Sequence, residues 1–253
     1  MTDLSINLNK IALIRNSRVT RIPDVVAHAQ QCIAAGADGI TVHPRPDQRH
    51  IRAQDCLDLK ASLTVELNIE GNPFTAATPS DRDDVKDYPG FMALVREALP
   101  AQVTLVPDSD GQLTSDHGFD VARDGGRLAP VIRELKDLGC RVSLFMDPEP
   151  AAMVTVASLG ADRIELYTES YARAHEAGDF SAVLNAFQET AAAAIEAGLG
   201  VNAGHDLNLS NLPDFKLPAL AEVSIGHAFT VDALTWGIAD TVLRYQRALG
   251  KTC

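Results

Sequence analysis

Five histidine and glutamate side chains follow short apolar runs of the chain, at the places where buried strands would end. They are His43, Glu70, Glu165, His205 and His227. Imidazole titrates close to neutral pH, and burial raises the pKa of a glutamate towards the same range, so such a set can move protons to and from a substrate. The residue types therefore predict general acid–base catalysis.

Histidine and glutamate also bind metal ions, but their spacing in this sequence does not favour a metal site. The sequence has no HxH or HExxH pair, and Lys10 and Arg45 lie near the predicted cluster, where they would oppose a bound cation. The four cysteines stand apart without a CxxC pair, which predicts reduced thiols. We expect neither a metal nor a cofactor.

Two glycine-containing turns follow the last two predicted strands, VNAGHDLN at 201–208 and SIGHAFTVDAL at 224–234. Glycine lets a ligand approach the backbone closely, and the second turn runs directly into a helix whose first N–H groups attract anions. Arg18, Arg45 and Arg49 add cations near the front of the chain. These features favour a phosphorylated small molecule as the substrate.

A repeated junction organises the elements that must position these residues. Four times, a glycine ends a helical segment and a β-rich run follows, at Gly36, Gly139, Gly160 and Gly198. A chain that returns from helix to strand at such intervals is typical of repeated βα units and a parallel sheet.

Eight strands are expected from apolar and β-branched content, at 4–8, 39–43, 62–69, 102–106, 141–145, 163–166, 200–203 and 222–225. Helices are expected at 25–34, 54–59, 91–99, 127–138, 150–159 and 180–197, near Leu209 and at 231–249. Eight βα units predict an α/β TIM barrel, a single domain over residues 1–253. A doubly wound open sheet is the rival, but no Gly-rich turn follows the first strand.

A barrel would bring the acid–base residues together, because the carboxyl ends of all its strands meet at one mouth. The long polar segment 107–120 follows the fourth predicted strand and carries glycines. We expect it to form a mobile cover over that mouth.

Composition excludes several classes of protein. The chain has 253 residues, 46% of them hydrophobic, and a net charge of −12 from 22 basic and 34 acidic residues, which would repel nucleic acid and anionic membranes. No apolar run approaches the ~18 residues of a membrane helix. The N-terminus lacks the apolar core of a secretory signal, so the expected location is the cytoplasm.

Nine motifs follow one another along most of the chain. They are NxNKIAxxRNxR at 7–18, AGADGITVHxR at 35–45, RHI at 49–51, LNIE at 67–70, LVP at 105–107, VSLF at 142–145, IELYT at 164–168, VNAGH at 201–205 and SIGHA at 224–228. Any one of them is weak, but their order and spacing together are specific. In these respects the sequence resembles the pyridoxine 5′-phosphate synthase family, whose members close the ring of vitamin B6.

The resemblance implies a TIM barrel that condenses 1-deoxy-D-xylulose 5-phosphate with 3-amino-2-oxopropyl phosphate, giving pyridoxine 5′-phosphate, phosphate and water without a metal. It implies that His43 and Glu70 accept protons and that His205 donates one, with Glu165 as an assisting carboxylate. The substrate-binding positions that it implies are Asn7, Asn9, Lys10, Arg18, Arg45, His50, Thr114, Asp206, Gly226 and His227. It also implies a homo-oligomer, since members of the family commonly form octamers.

The sequence departs from the family pattern at several of these places. The departures are Asn9-Lys10 in place of Asp-His, Asp108-Ser109-Asp110 in place of Glu-Lys-Arg, Tyr167 in place of a common histidine, and Asp206 in place of Gly. Basic residues are thus lost from the expected cover, and a cation is gained after the first strand. We expect Lys10 to take over part of the contact with a phosphate or carbonyl group.

Two other functions use the same residues. An aldolase, isomerase or epimerase of another phosphosugar would keep the barrel and the acid–base cluster, and a desolvated Lys10 could then form a Schiff base that borohydride traps. A catalytically silent paralogue would bind a phosphometabolite and report on it. Retention of His43, Glu70 and His205 opposes this second alternative, whereas the altered cover leaves it open.

Overall fold

Eight parallel strands pair in chain order and close into a barrel, the last strand pairing with the first. The structure is a computed structural model that describes residues 1–109, 111–112 and 114–252. The strands are β1 (Asp3–Asn7), β2 (Gly39–Val42), β3 (Glu66–Gly71), β4 (Gln102–Leu105), β5 (Arg141–Met146), β6 (Arg163–Tyr167), β7 (Gly200–Gly204) and β8 (Leu220–Ile225). The predicted TIM barrel is confirmed.

Helices connect the strands. They are α1 (Asn9–Asn16), α2 (Val25–Ala34), α3 (Ala53–Ser62), α4 (Phe91–Ala98), α5 (Val121–Asp137), α6 (Met153–Ser158), α7 (Glu169–Glu176), α8 (Ser181–Glu196), α9 (His227–Trp236) and α10 (Ile238–Ala248), with short 3-10 turns at Pro150–Ala152 and Leu212–Asp214. Within the described residues, no helix combines the length and apolar character needed to cross a membrane.

The glycine junctions end helices as the sequence predicts. Gly36, Gly139, Gly160 and Gly198 all have positive φ, between 82° and 108°, which a side chain would disfavour. After Gly36 the chain reverses direction at the end of α2, and the N–H of Ala37 donates a hydrogen bond to the carbonyl of Cys32. This bond satisfies a carbonyl in the last turn of the helix and directs the chain into β2.

Two predicted boundaries were wrong by several residues. The third strand begins at Glu66 rather than at residue 62, because α3 continues to Ser62. Helix α5 begins at Val121 rather than at residue 127, because the carboxylate of Asp120 accepts hydrogen bonds from the N–H groups of Ala122 and Arg123 and caps the helix there.

The helix expected near Leu209 is only the 3-10 turn at Leu212–Asp214. The helix expected at 231–249 is two helices, α9 and α10, separated by Gly237 with φ 78°. The helices α1 and α7 were not predicted. Each begins within two residues of a strand end, so no loop of turn-forming residues marks its start.

Polar side chains fill the interior of the barrel. Ser5 and Thr41 form a hydrogen bond of 2.7 Å between neighbouring strands. Thr104 donates to the side-chain oxygen of Asn68 at 3.1 Å. Apolar residues alternate with these along each strand and pack against the helices, as in the buried Ile40 of β2. The site at the mouth of the barrel therefore rests on a hydrogen-bonded interior.

Candidate active site

A cavity of about 450 Å³ opens at the carboxyl ends of the strands. His43, Glu70, Glu165 and His205, the four residues predicted to catalyse, all line it. Glu70 lies within β3 and Glu165 within β6, whereas each histidine directly follows its strand. The closed sheet brings the four side chains to one mouth, as expected from the fold.

Most of the predicted substrate-binding residues line the same cavity. They are Asn7, Asn9, Lys10, Arg45, His50, Thr114, Asp206, Gly226 and His227. The exception is Arg18, which is exposed on the segment after α1 and is not among the lining residues. The departure at Asp110 lies outside the described residues, whereas Ser109 is exposed and does not line the cavity.

Two asparagines tie the end of β1 to its neighbours. The side-chain oxygen of Asn7 accepts a hydrogen bond from the N–H of Asn9 at 3.0 Å, and its nitrogen lies 3.5 Å from the Glu70 carboxylate. The N–H of His43 donates to the side-chain oxygen of Asn9 at 2.9 Å. Asn9 thereby fixes the backbone of the histidine that the sequence indicates as a base.

The imidazole of His43 lies between two carboxylates. Nδ1 is 3.9 Å from Glu70 Oε2, and Nε2 is 3.8 Å from Asp108 Oδ2. Burial lowers the pKa of His43 well below its usual value, and the nearby Arg45 adds to this effect. The sequence assigned Asp108 no function, although its position directly after the LVP motif near the end of β4 could have indicated one.

The two glutamates of the cavity are buried close together. Burial is the main reason that the pKa of Glu70 is raised well above its usual value, and the charge of Glu165 adds to it. Burial, followed by the charge of Glu222, raises the pKa of Glu165 to about 8, against a hydrogen bond from the hydroxyl of Thr104. Burial therefore makes both side chains stronger bases than exposed glutamates.

His205 has an unusual backbone and an aromatic setting. Its φ is 72°, and the hydroxyl of Thr168 donates to the His205 carbonyl and, at 2.9 Å, to that of Gly204. Its ring centre is 5.1 Å from that of Phe145 and 5.4 Å from that of Tyr167. Burial, followed by Arg45 and Lys10, lowers the pKa of His205 to about 4. The aromatic contacts were not foreseen from the sequence.

The glycine of the VNAGH motif makes room for a neighbouring side chain. The sequence suggested that Gly204 lets a ligand approach the backbone. In the structure a Cβ at Gly204 would overlap Oε1 of Glu165, so glycine is required by the carboxylate itself. Gly226 lines the cavity and precedes His227, the first residue of α9, which agrees with the predicted helix N-terminus at the site.

Comparison with known protein families concerns nearly the whole chain. A family model described as "Pyridoxal phosphate biosynthesis protein PdxJ" matches residues 4–251. The chain belongs to this family. The resemblance predicted from the motifs is thereby confirmed, and the match covers all eight strands of the barrel except the first residue of β1.

Relatives within the family are similar over almost their whole length. A pyridoxine 5′-phosphate synthase of Xanthomonas campestris pv. campestris (strain B100) is 56% identical over 250 residues, which cover 96% of this chain and 94% of the relative. A protein of the same name from Xylella fastidiosa (strain 9a5c) is 54% identical over 249 residues, which cover 96% and 93%.

Solved structures of other proteins share the fold. A 3-keto-L-gulonate-6-phosphate decarboxylase from Vibrio cholerae O1 biovar El Tor superposes with a TM-score of 0.63 at 12% identity, covering 98% of this chain and 97% of that one. The tryptophan synthase alpha chain of Legionella pneumophila subsp. pneumophila gives 0.62 at 11% identity, covering 99% and 91%. At these identities the similarity concerns the barrel alone.

Proposed function

We propose that the protein catalyses the pyridoxine 5′-phosphate synthase reaction, the condensation of 1-deoxy-D-xylulose 5-phosphate with 3-amino-2-oxopropyl phosphate. The observation that carries the proposal is the meeting of His43, Glu70, Glu165 and His205 at one cavity, in a chain of this family. Imine formation, loss of phosphate, ring closure and dehydration each move a proton at a different atom. Such a sequence needs several acid–base groups around one substrate.

The ionisation of these groups suits proton exchange at neutral pH. The pKa values of His43 and His205 are lowered by burial, so both imidazoles are neutral and able to accept a proton. The pKa values of Glu70 and Glu165 are raised by burial, so their carboxylates are stronger bases than those of exposed glutamates. Four groups on one cavity can thus take up and return protons through successive steps.

Bound phosphate groups would raise the pKa values of the imidazoles, as the proton transfers of the reaction require. The cavity is lined by the cations Lys10 and Arg45 and by the start of α9, which together favour two phosphorylated substrates. The negative charge of the phosphates raises the pKa of neighbouring imidazoles. His205 can then hold a proton taken up in an earlier step and donate it in a later one.

The direct test is incubation of the purified protein with both substrates. We expect pyridoxine 5′-phosphate by mass spectrometry, with release of inorganic phosphate from the ketose phosphate. Turnover of another phosphosugar, or a covalent adduct trapped on Lys10 by borohydride, would instead support an aldolase-like enzyme. Binding of the substrates without any product would support the silent paralogue.

Lys10 is expected to bind one of the two substrates. In the Lys10→Ala variant we expect the KM for one substrate to rise about tenfold, because a charge-assisted hydrogen bond is lost, with kcat changed less. Steady-state kinetics with each substrate varied in turn measures this. Lys60→Ala, at an exposed site on α3, is the matched control. Unaltered KM values for both substrates would show that Lys10 binds neither of them.

We also propose that the protein self-associates through the adjoining helices α1 and α9. These helices pack side by side and expose apolar side chains, including Leu13 and Ile14 on α1 and Val231 and Leu234 on α9. Leu234 is 79% exposed. Apolar side chains grouped on neighbouring helices are a typical surface for a second copy of the same chain.

Placing a charge on this surface tests the association. Leu234→Glu is expected to shift the molar mass in solution to a smaller species, measured by light scattering after size exclusion. Val154→Glu, on α6 and similarly exposed at 74%, should leave the mass unchanged. A Leu234→Glu protein of wild-type mass, or a wild-type protein that is monomeric, would contradict the proposed surface.

A further inference from the structure

Asp108 is a buried carboxylate beside the cavity to which neither the motifs nor the cavity lining assigns a function. It lies three residues beyond the end of β4 and is 5% exposed. The guanidinium of Arg45 forms an ion pair with Oδ2, and the hydroxyl of Ser115 donates to the same oxygen at 2.9 Å. The backbone carbonyl of Asp108 accepts from Asn72 at 2.7 Å. Side chain and backbone are therefore both held in place.

The residues that Asp108 contacts are those that face the substrate. Arg45 and Ser115 line the cavity, and so does His43, whose Nε2 is 3.8 Å from the Asp108 carboxylate. Asp108 itself is absent from the lining. Any effect of this carboxylate on a substrate must therefore pass through these neighbours.

The position of Asp108 relative to His43 complements that of Glu70. Glu70 faces Nδ1 of the imidazole and Asp108 faces Nε2, so either ring nitrogen that gains a proton faces a carboxylate. A negative charge near a base favours its protonated form, and a carboxylate near an imidazole also restrains the orientation of the ring. Arg45 keeps part of this charge neutralised within the buried pair.

We propose that Asp108 is a positioning residue for the reaction, which holds Arg45 in place and stabilises the protonated imidazole of His43 from the side opposite Glu70. This inference rests on the proposed function, since it assigns His43 the task of taking up a proton from the substrate. Asp108 does not line the cavity and acts through Arg45 and His43.

The charges around His43 determine the direction of the expected pH effect. The groups that act on it are the carboxylates Glu70 and Asp108, which face the ring, the guanidinium cations of Arg45 and Arg49, and the imidazoles of His50 and His205. The cations lower the pKa of His43, and a carboxylate opposes them. Because a base works only when neutral, activity falls on the acidic side of the pKa of His43. Removal of the Asp108 charge lowers that pKa and moves the acidic limb to lower pH.

Asp108→Asn tests the proposal, because it keeps the shape of the side chain and removes its charge. We expect kcat/KM for pyridoxine 5′-phosphate formation to fall about tenfold and the acidic limb of its pH profile to move down by about half a pH unit or more. Asp108→Glu, which restores the charge, should return the limb towards the wild-type position. Asp137→Asn, at the exposed end of α5, is the matched control and should behave as the wild type.

If the asparagine variant does not fold, Asp108→Ser serves in its place, and we expect the same changes in kcat/KM and in the acidic limb. The serine also removes the charge, and it leaves room for a water molecule that can bind to Arg45. If a folded variant without the Asp108 charge has wild-type kcat/KM and an unmoved acidic limb, the proposal is wrong. A reduced activity with an unmoved limb would also overturn it, since that result indicates a purely structural contribution. A wild-type protein that forms no product would defeat the proposed function instead, so the two failures are distinguishable.

Discussion

Replacement of Glu70 by glutamine is expected to lower kcat by about 10²- to 10⁴-fold, the usual contribution of a general acid–base group. The amide has nearly the shape of the carboxyl group and keeps the contact with Asn7, but it cannot accept and return a proton. KM should change little, because the loss falls on proton transfer in the transition state. Product formation followed by mass spectrometry gives both constants, and isothermal calorimetry gives substrate binding.

Two comparisons make this result specific. Glu149→Gln changes an exposed glutamate after β5 and should leave the kinetics unaltered. His43→Asn removes the imidazole that lies 3.9 Å from Glu70 and should produce a loss of similar size. A Glu70→Gln protein with wild-type turnover would contradict the function assigned to this carboxyl group.

Replacement of Gly204 by alanine is expected to lower kcat/KM by about 10²-fold and to destabilise the protein by about 1–3 kcal/mol, the usual range for an overpacked buried site. The added methyl group would overlap Oε1 of Glu165. Glu165 is only 2% exposed and therefore has little space into which it could move. Either the carboxylate leaves its place in the cavity or β7 moves away from β6. Kinetics and thermal unfolding measure the two effects.

Gly126→Ala is the matched control for this variant. Gly126 lies within α5, and a Cβ there would have no heavy atom within 4 Å apart from the helix itself. We therefore expect this alanine to stabilise the protein by about 0.5–1 kcal/mol and to leave kcat/KM unchanged. Wild-type kinetics in Gly204→Ala would mean that Glu165 does not need its observed position for activity.

Local signals in the sequence were sufficient for the fold. The four junction glycines, which have positive φ, mark where helices end, and the runs that follow them became strands. His43 and Glu70 could be assigned to one mouth because closure of the sheet fixes where the strands end. The missed helices α1 and α7 begin so soon after a strand that no turn separates the two elements.

Contacts between distant segments were beyond the reach of sequence reasoning. Asp108 and Arg45 are 63 positions apart, and their ion pair forms because the barrel places the ends of β2 and β4 at the same mouth. The packing of Phe145 and Tyr167 on His205 likewise joins three strands. Arg18 fits the family motif, yet its side chain is exposed and does not line the cavity of its own chain. The sequence pattern predicts where a residue lies along a strand or helix. Which residues from distant segments surround it is known only from the folded barrel.

The barrel has a polar interior and an apolar layer between strands and helices. Stability and substrate selectivity therefore depend on different sets of residues in this enzyme. Residues such as Ile40, Ile69 and Leu144, fully buried beneath the helices, supply hydrophobic burial, whereas the centre consists of hydrogen-bonded groups such as Ser5 and Thr41. Engineering for heat tolerance is therefore best confined to the interface between strands and helices. Substitutions that aim to change substrate selectivity belong in the polar interior of the barrel. There an exchanged side chain alters the electrostatics of the site more than the hydrophobic burial that stabilises the fold.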